Sequence, residues 1–161
     1  MINNNIRDKE LFPKKVPKLT PEQKLIKDDF MEHWLKVLRS KYGIVDRFNH
    51  KVVVNSQPKN FLKTLEIGAG IGEHLNYENL NDAQKKNYYA LDIRENLLKI
   101  LTKEHPMVNT IIGDCENDLK FENNFFDRII AIHVLEHLPN LPKTLYEIAR
   151  VMKDNGLFQV V

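Results

Sequence analysis

Apolar and polar positions follow two regimes along the chain, with the change near residue 60. Before it, Ile26, Phe30, Trp34, Val37, Leu38 and Tyr42 recur every three to four positions, the period of a helix that buries one face. Thr20-Pro21-Glu22-Gln23 gives that helix a start: a threonine cap, proline at the first helical position and glutamine three residues after the cap. Gly43 offers a left-handed stop. The spacing therefore predicts one helix over residues 21–42. From Gly43 to Asn60 the pattern is mixed. "IVDRFNHKVVV" is rich in β-branched residues and "NSQPKN" has the chemistry of a linker, so no element is assigned there.

Beyond residue 60, short apolar runs alternate with amphipathic segments. "FLKTLEIG", "NYYALDI", "MVNTIIG", "FFDRIIAI" and "LFQVV" read as strands. "GEHLNYENL" opens a helix, "RENLLKILTKEH" is a helix closed by Pro106, and "PKTLYEIARVMKDNG" is another. This alternation predicts an α/β fold of βαβ units with a parallel sheet covered on both faces. The expected plan is a flexible basic arm over 1–20, a helix and linker over 21–60 that could serve as a lid, and the α/β domain over 61–161. The last strand reaches Val161 without turn chemistry. The expectation is a sheet that lacks its closing strands, or one completed by a second copy pairing along the open edge.

Composition alters this picture little. A chain of 161 residues with 42% hydrophobic and 29% charged positions has the make-up of one globular domain. The formal charge of +2 is too small to point by itself to a nucleic acid or a membrane surface. The arm holds Arg7, Lys9, Lys14, Lys15 and Lys18 against Asp8 and Glu10, a surplus of three that leaves the remainder at a formal −1. A single cysteine, Cys115, excludes an internal disulfide. No signal peptide or membrane-length apolar run is present, so a cytoplasmic protein is expected.

Candidate chemistry gathers after successive strands. "GAGIG" at 68–72 follows the strand "KTLEI", and glycines there let backbone N–H groups approach a ligand. The third glycine comes one position early for a dinucleotide loop. Glu66, just before the loop, would repel a pyrophosphate and attract an ammonium. Asp92 ends the second predicted strand, where a carboxylate can accept both hydroxyls of a ribose. "IIGDCEN" sets Asp114 to accept from an adenine amine and the Cys115 N–H to meet a ring nitrogen, although acids after strands also cap turns. "HVLEH" at 133–137 spells the H-x-x-E-H order of a zinc peptidase. That site needs a long helix, which Pro139 and Pro142 interrupt, and no metal is expected.

Together these segments resemble the class I S-adenosylmethionine-dependent methyltransferases. "LEIGAGIGEH" is similar to their first motif, acid-x-G-x-G-x-G, with Glu66, Gly68, Gly70 and Gly72 all present. "ALDI" resembles the second-strand acid, "GDCEN" the adenine-side motif, and "FDRIIAIHVLEHLPN" the fourth-strand segment of the small-molecule branch. The resemblance covers residues 61–161. It implies a Rossmann-like doubly wound sheet of order 3-2-1-4-5 with an N-terminal helical extension and without the family's sixth and seventh strands. It further implies S-adenosyl-L-methionine as cofactor. Glu66 and the loop of Gly68, Ala69, Gly70 and Gly72 would hold the methionine end, Asp92 the ribose, Ile93 and Cys115 the adenine ring, and Asp114 its amine. His133 would lie near the reacting methyl, and His133 and His137 are the candidate proton acceptors. The expected function is methyl transfer to a small-molecule acceptor, since no basic patch interleaved with aromatics suggests a nucleic acid. The alternatives are a catalytically silent cofactor-binding module or fragment, and an NAD(P)-dependent oxidoreductase.

Overall fold

The apolar runs pair as strands β1 (Thr64–Ile67), β2 (Tyr88–Asp92), β3 (Asn109–Ile112), β4 (Phe126–Ala131) and β5 (Met152–Val160). A computed structural model describes residues 18–33, 39–117 and 119–161. All four strand pairings are parallel and the order is β3-β2-β1-β4-β5, as the resemblance implied. The helices are α1 (Pro21–His33), α2 (Arg39–Asn55), α3 (Asp82–Lys86), α4 (Glu95–Glu104) and α5 (Leu141–Val151).

Parallel strands buried on both faces need helices on both sides. On one face Leu65, Ile67, Leu91, Ile129 and Ala131 pack with Ile148 and Val151 of α5. On the other, Tyr88 and Ala90 meet Leu98 and Leu101 of α4, whose leucines at 97, 98 and 101 form one buried stripe.

That second face also carries a network of buried polar groups. Gln159 of β5 donates to the Val53 carbonyl (2.7 Å) and to Ser56 Oγ (2.8 Å), anchoring the C-terminal end of α2. Its Oε1 accepts from Arg128 Nε of β4 at 2.5 Å. Arg128 Nη1 lies 2.7 Å from Glu78 Oε1, and His74 Nε2 is also 2.7 Å from that oxygen. His74 Nδ1 then meets His50 Nδ1 of α2 at 3.2 Å, and the His50 ring stacks on Tyr77 with centroids 4.7 Å apart. The contacts form a ring that leaves α2 and returns to it. Buried polar groups persist only when they bond to one another in this way.

Three boundaries differ from the sequence expectation. The capping box of Thr20 and Gln23 forms as predicted (Gln23 N–H to Thr20 Oγ1 3.2 Å; Thr20 N–H to Gln23 Oε1 2.9 Å). Gly43, however, lies inside α2 instead of ending a helix over 21–42. A helix-interior glycine costs roughly 0.5–1 kcal/mol, which the docking of His50 and Val53 outweighs. Of the expected apolar stripe, Ile26 is exposed, and the side chains of Phe30, Trp34, Val37, Leu38 and Tyr42 lie outside the described residues. The arm over residues 1–17 lies outside them too. "GEHLNYENL" forms only a 3₁₀ turn over Glu73–Asn76, because His74 and Glu78 are drawn inward towards Arg128. Finally, the helix expected through Gly156 ends at Val151. Met152 takes extended backbone and pairs with Phe126, and an irregularity in β5 precedes the pairing of Leu157 with Arg128.

Candidate functional site

The carboxyl ends of β1, β2, β3 and β4 converge on the glycine loop. Gly68 and Gly70 have φ of 71° and 55°, a region that side chains disfavour. A Cβ on Gly68 would lie 2.2 Å from Val134 Cγ2, whereas one on Gly70 would meet nothing within 4 Å. The loop is thus packed against the β4 side at its first glycine and open at its second. Gly68→Ala is expected to combine left-handed strain of roughly 1–2 kcal/mol with overpacking of about 1–3 kcal/mol. Urea denaturation should show a destabilisation of about 2–5 kcal/mol; a loss near 1–2 kcal/mol would mean that Val134 yields and only the backbone strain remains, and a change below about 0.5 kcal/mol would overturn both contributions.

The loop is lashed to β2. The N–H groups of Gly68 and Ala69 both donate to the Leu91 carbonyl (2.8 and 3.0 Å), and Gly70 N–H donates to Asp92 Oδ2 at 2.9 Å. Asp92 is 3% exposed. Burial pushes its carboxyl up, but the hydrogen bonds and charge of Arg94, with the Gly70 N–H, prevail and hold it below its ordinary value. Arg94 Nε reaches Oδ1 and Nη2 reaches Oδ2, each at 2.9 Å. Asp92 is therefore an ionised acceptor at the loop, with a guanidinium on both oxygens. Sequence reasoning missed Arg94; its signal was a cation two residues after the acid, where backbone and side chain can both reach back.

Glu66 sits beneath the loop, 4% exposed, and accepts from the Tyr88 hydroxyl at 2.8 Å. Burial raises its carboxyl above the ordinary value, with His74 and the Tyr88 hydrogen bond opposing. Its carboxylate is engaged inside the second face of the sheet, next to the polar ring. On the adenine side expected from sequence, Ile93 is 67% exposed at the end of β2, an apolar wall beside Asp92. Asp114 turns back on its own loop, accepting from Glu116 N–H (2.9 Å) and Asn117 Nδ2 (3.1 Å). Cys115 is buried and its thiol is pushed up to about 11, first by burial and then by Asp114. Glu116 in turn accepts from Asn140 N–H at the start of α5, which ties the β3 loop to the β4 side.

His133 follows β4 with φ of 54°. Its N–H donates to the Val161 carbonyl at 2.8 Å, and its Nε2 lies 2.8 Å from Asn49 Nδ2 of α2. Glu136 Oε1 is 3.8 Å from both His133 Nδ1 and His137 Nε2, so the two histidines flank one carboxylate. His137, in a 3₁₀ turn over Leu135–His137, is largely exposed. Among the described residues no three His, Cys, Asp or Glu side chains are grouped to hold a metal ion. Asn49 was not singled out from sequence, because it lies on a helix that the pattern did not resolve, and Glu136 entered only as the acid of the H-x-x-E-H spelling and not as a partner of His133.

An S-adenosyl-type ligand fits these residues on three grounds. The loop is open over Gly70, an ionised carboxylate stands at the end of β2, and an apolar side chain is exposed beside it.

Comparison with known proteins agrees with the fold. A family model described as "Methyltransferase domain" matches residues 65–160. Phthiotriol/phenolphthiotriol dimycocerosates methyltransferase of Mycobacterium leprae is 35% identical over 72 residues, 44% of this chain and 26% of that protein. Sterol 4-C-methyltransferase strm-1 of Caenorhabditis elegans is 42% identical over 50 residues, 31% of this chain and 15% of its own length. Among solved structures, the CurJ carbon methyltransferase superposes with a TM-score of 0.57 at 26% identity, covering 68% of this chain and 33% of that one. The chain thus spans about a quarter of the mycobacterial relative's length. With a matched segment that runs from β1 to the end of β5, and with the strand order and glycine loop in place, the chain belongs to the methyltransferase-domain family.

Proposed function

We propose that this domain binds S-adenosyl-L-methionine at the carboxyl ends of its strands and passes the methyl group to a small-molecule acceptor. The observation that carries the reading is the junction of Gly70 and Asp92, which couples an open glycine loop to an ionised carboxylate. The glycine loop over Glu66 takes the methionine end, Asp92 the ribose hydroxyls, and Ile93 and the Asp114–Cys115 loop the adenine. The cofactor supplies an electrophilic methyl on a sulfonium centre. The chain's own work is alignment, and correct positioning can supply roughly 7–11 kcal/mol of a barrier. His133, held by Asn49 and next to Glu136, is the candidate to take a proton from the acceptor. Small-molecule acceptors are supported by the phthiotriol/phenolphthiotriol dimycocerosates and sterol methyltransferases to which the chain is similar. α2, which reaches His133 through Asn49, forms one wall of the acceptor side.

Calorimetric titration tests this reading against the oxidoreductase alternative. S-adenosylhomocysteine is expected to bind near the micromolar level, about −8 kcal/mol, and NAD⁺ not at all. Binding of NAD⁺ in place of S-adenosylhomocysteine would overturn the assignment.

A further inference from the structure

Helix α2 carries a surface that methyl transfer does not explain. It runs against the strand direction: Asn49 meets His133 beyond the end of β4, and Val53 and Ser56 meet Gln159 within β5. Residues 39–48 therefore extend past the strand ends, by about 15 Å at the helical rise per residue. On this overhang and just below it, Ile44, Val45, Phe48 and Val52 are 87%, 58%, 66% and 41% exposed. Their spacing puts them on one face, turned away from the buried His50 and Val53. The same helix holds Arg39, Lys41, Arg47 and Lys51 against a single acid, Asp46, and Arg47 and Lys51 are exposed.

An apolar stripe on a convex helix, edged on one side by Arg47 and Lys51, does not enclose a small molecule. It matches a flat, yielding, negatively charged partner: apolar side chains enter the acyl region and cations meet the headgroups. We propose that α2 docks this domain on an anionic lipid bilayer, with Ile44, Val45, Phe48 and Val52 entering the interface. α2 would then lie along the bilayer surface, with the sheet on its opposite side. The surplus of basic residues over positions 1–20 has the same sign and adds to the attraction. Nothing in this docking requires the cofactor, so it stands or falls apart from the methyltransferase reading.

The test is flotation of the full chain with phosphatidylcholine vesicles, with and without phosphatidylglycerol. Binding to the anionic vesicles is expected, and it should weaken as added salt shortens the screening length. Phe48→Ser combined with Ile44→Ser should lower partitioning at least about tenfold, and Arg47→Ala and Lys51→Ala about fivefold each. Leu145→Ser, at an exposed apolar position on α5, should float as the unaltered chain does. Circular dichroism verifies that each variant stays folded. The proposal is overturned if the unaltered chain ignores anionic vesicles, or if the Phe48/Ile44 variant partitions equally well. It is also overturned if sedimentation without lipid shows self-association that Phe48→Ser abolishes, which would make a second copy the occupant of the stripe.

Discussion

Glu78→Ala is expected to destabilise the fold by about 3–5 kcal/mol, the range for removing one partner of a buried ion pair. Arg128 and Glu78 have side chains at most 1% exposed. Without Glu78, the Arg128 guanidinium would keep, among the described residues, Gln159 at Nε and the face of the Phe61 ring, 5.0 Å away. His74 would lose its carboxylate as well. Urea denaturation at neutral pH reads the effect directly, and the paired replacement Glu78→Leu with Arg128→Met supplies the contrast. A buried pair exchanged for apolar residues of similar volume is often neutral or stabilising, so the double variant should recover most of the loss. A Glu78→Ala chain as stable as the parent would mean that water reaches Arg128. The same pair gives an acid dependence. Burial raises the Glu78 carboxyl, but His74 and Arg128 prevail and hold it below 4.5. Its contribution is present above that value and is lost as pH falls through the depressed one.

Asp92→Ala should weaken S-adenosylhomocysteine binding by about 150-fold or more. Two charge-assisted hydrogen bonds to ribose hydroxyls contribute roughly 1.5–3 kcal/mol each, and the low end of their sum corresponds to that factor. The loop suffers too, since Gly70 N–H loses its acceptor. Arg94→Ala should act in the opposite direction. The guanidinium occupies both carboxylate oxygens, and a ribose has to share or displace it; its removal is expected to tighten binding about threefold, less than 1 kcal/mol. Calorimetry on the two variants separates the possibilities. Equal losses in both would make Arg94 part of the binding surface instead of a competitor for Asp92. Because the Asp92 carboxyl is held below 3.8, affinity should be flat across neutral pH and fall only in acid.

Much of this molecule was legible as sequence because its strands are short apolar runs, bounded by glycine, proline or acids. The period of two or 3.6 survives where burial is uniform: Leu97, Leu98 and Leu101 mark α4, and "DRIIA" marks β4. What was lost was decided by contacts distant in sequence. α2 carries three consecutive valines at 52–54 and a glycine at 43, all poor helix residues, and it is fixed by partners such as Gln159, 106 positions beyond Val53. The expected loop, second-strand acid and fourth-strand histidine do come to one end of the sheet. Their hydrogen bonds could not be foreseen. Glu66 looks downward to Tyr88, Asp114 closes its own turn, and Asp92 is already engaged by Arg94.

The ring of polar contacts that leaves α2 at Val53 and returns at His50 has a consequence for how substitutions combine. Gln159, Arg128, Glu78 and His74 each hold two neighbours in place, so a change at one relaxes the geometry of the next. Free-energy changes at these four positions should fall short of additivity, since the first break already forfeits part of what the second would remove. A lineage altering this ring would then change its members together, and the four sites would behave as one heritable unit.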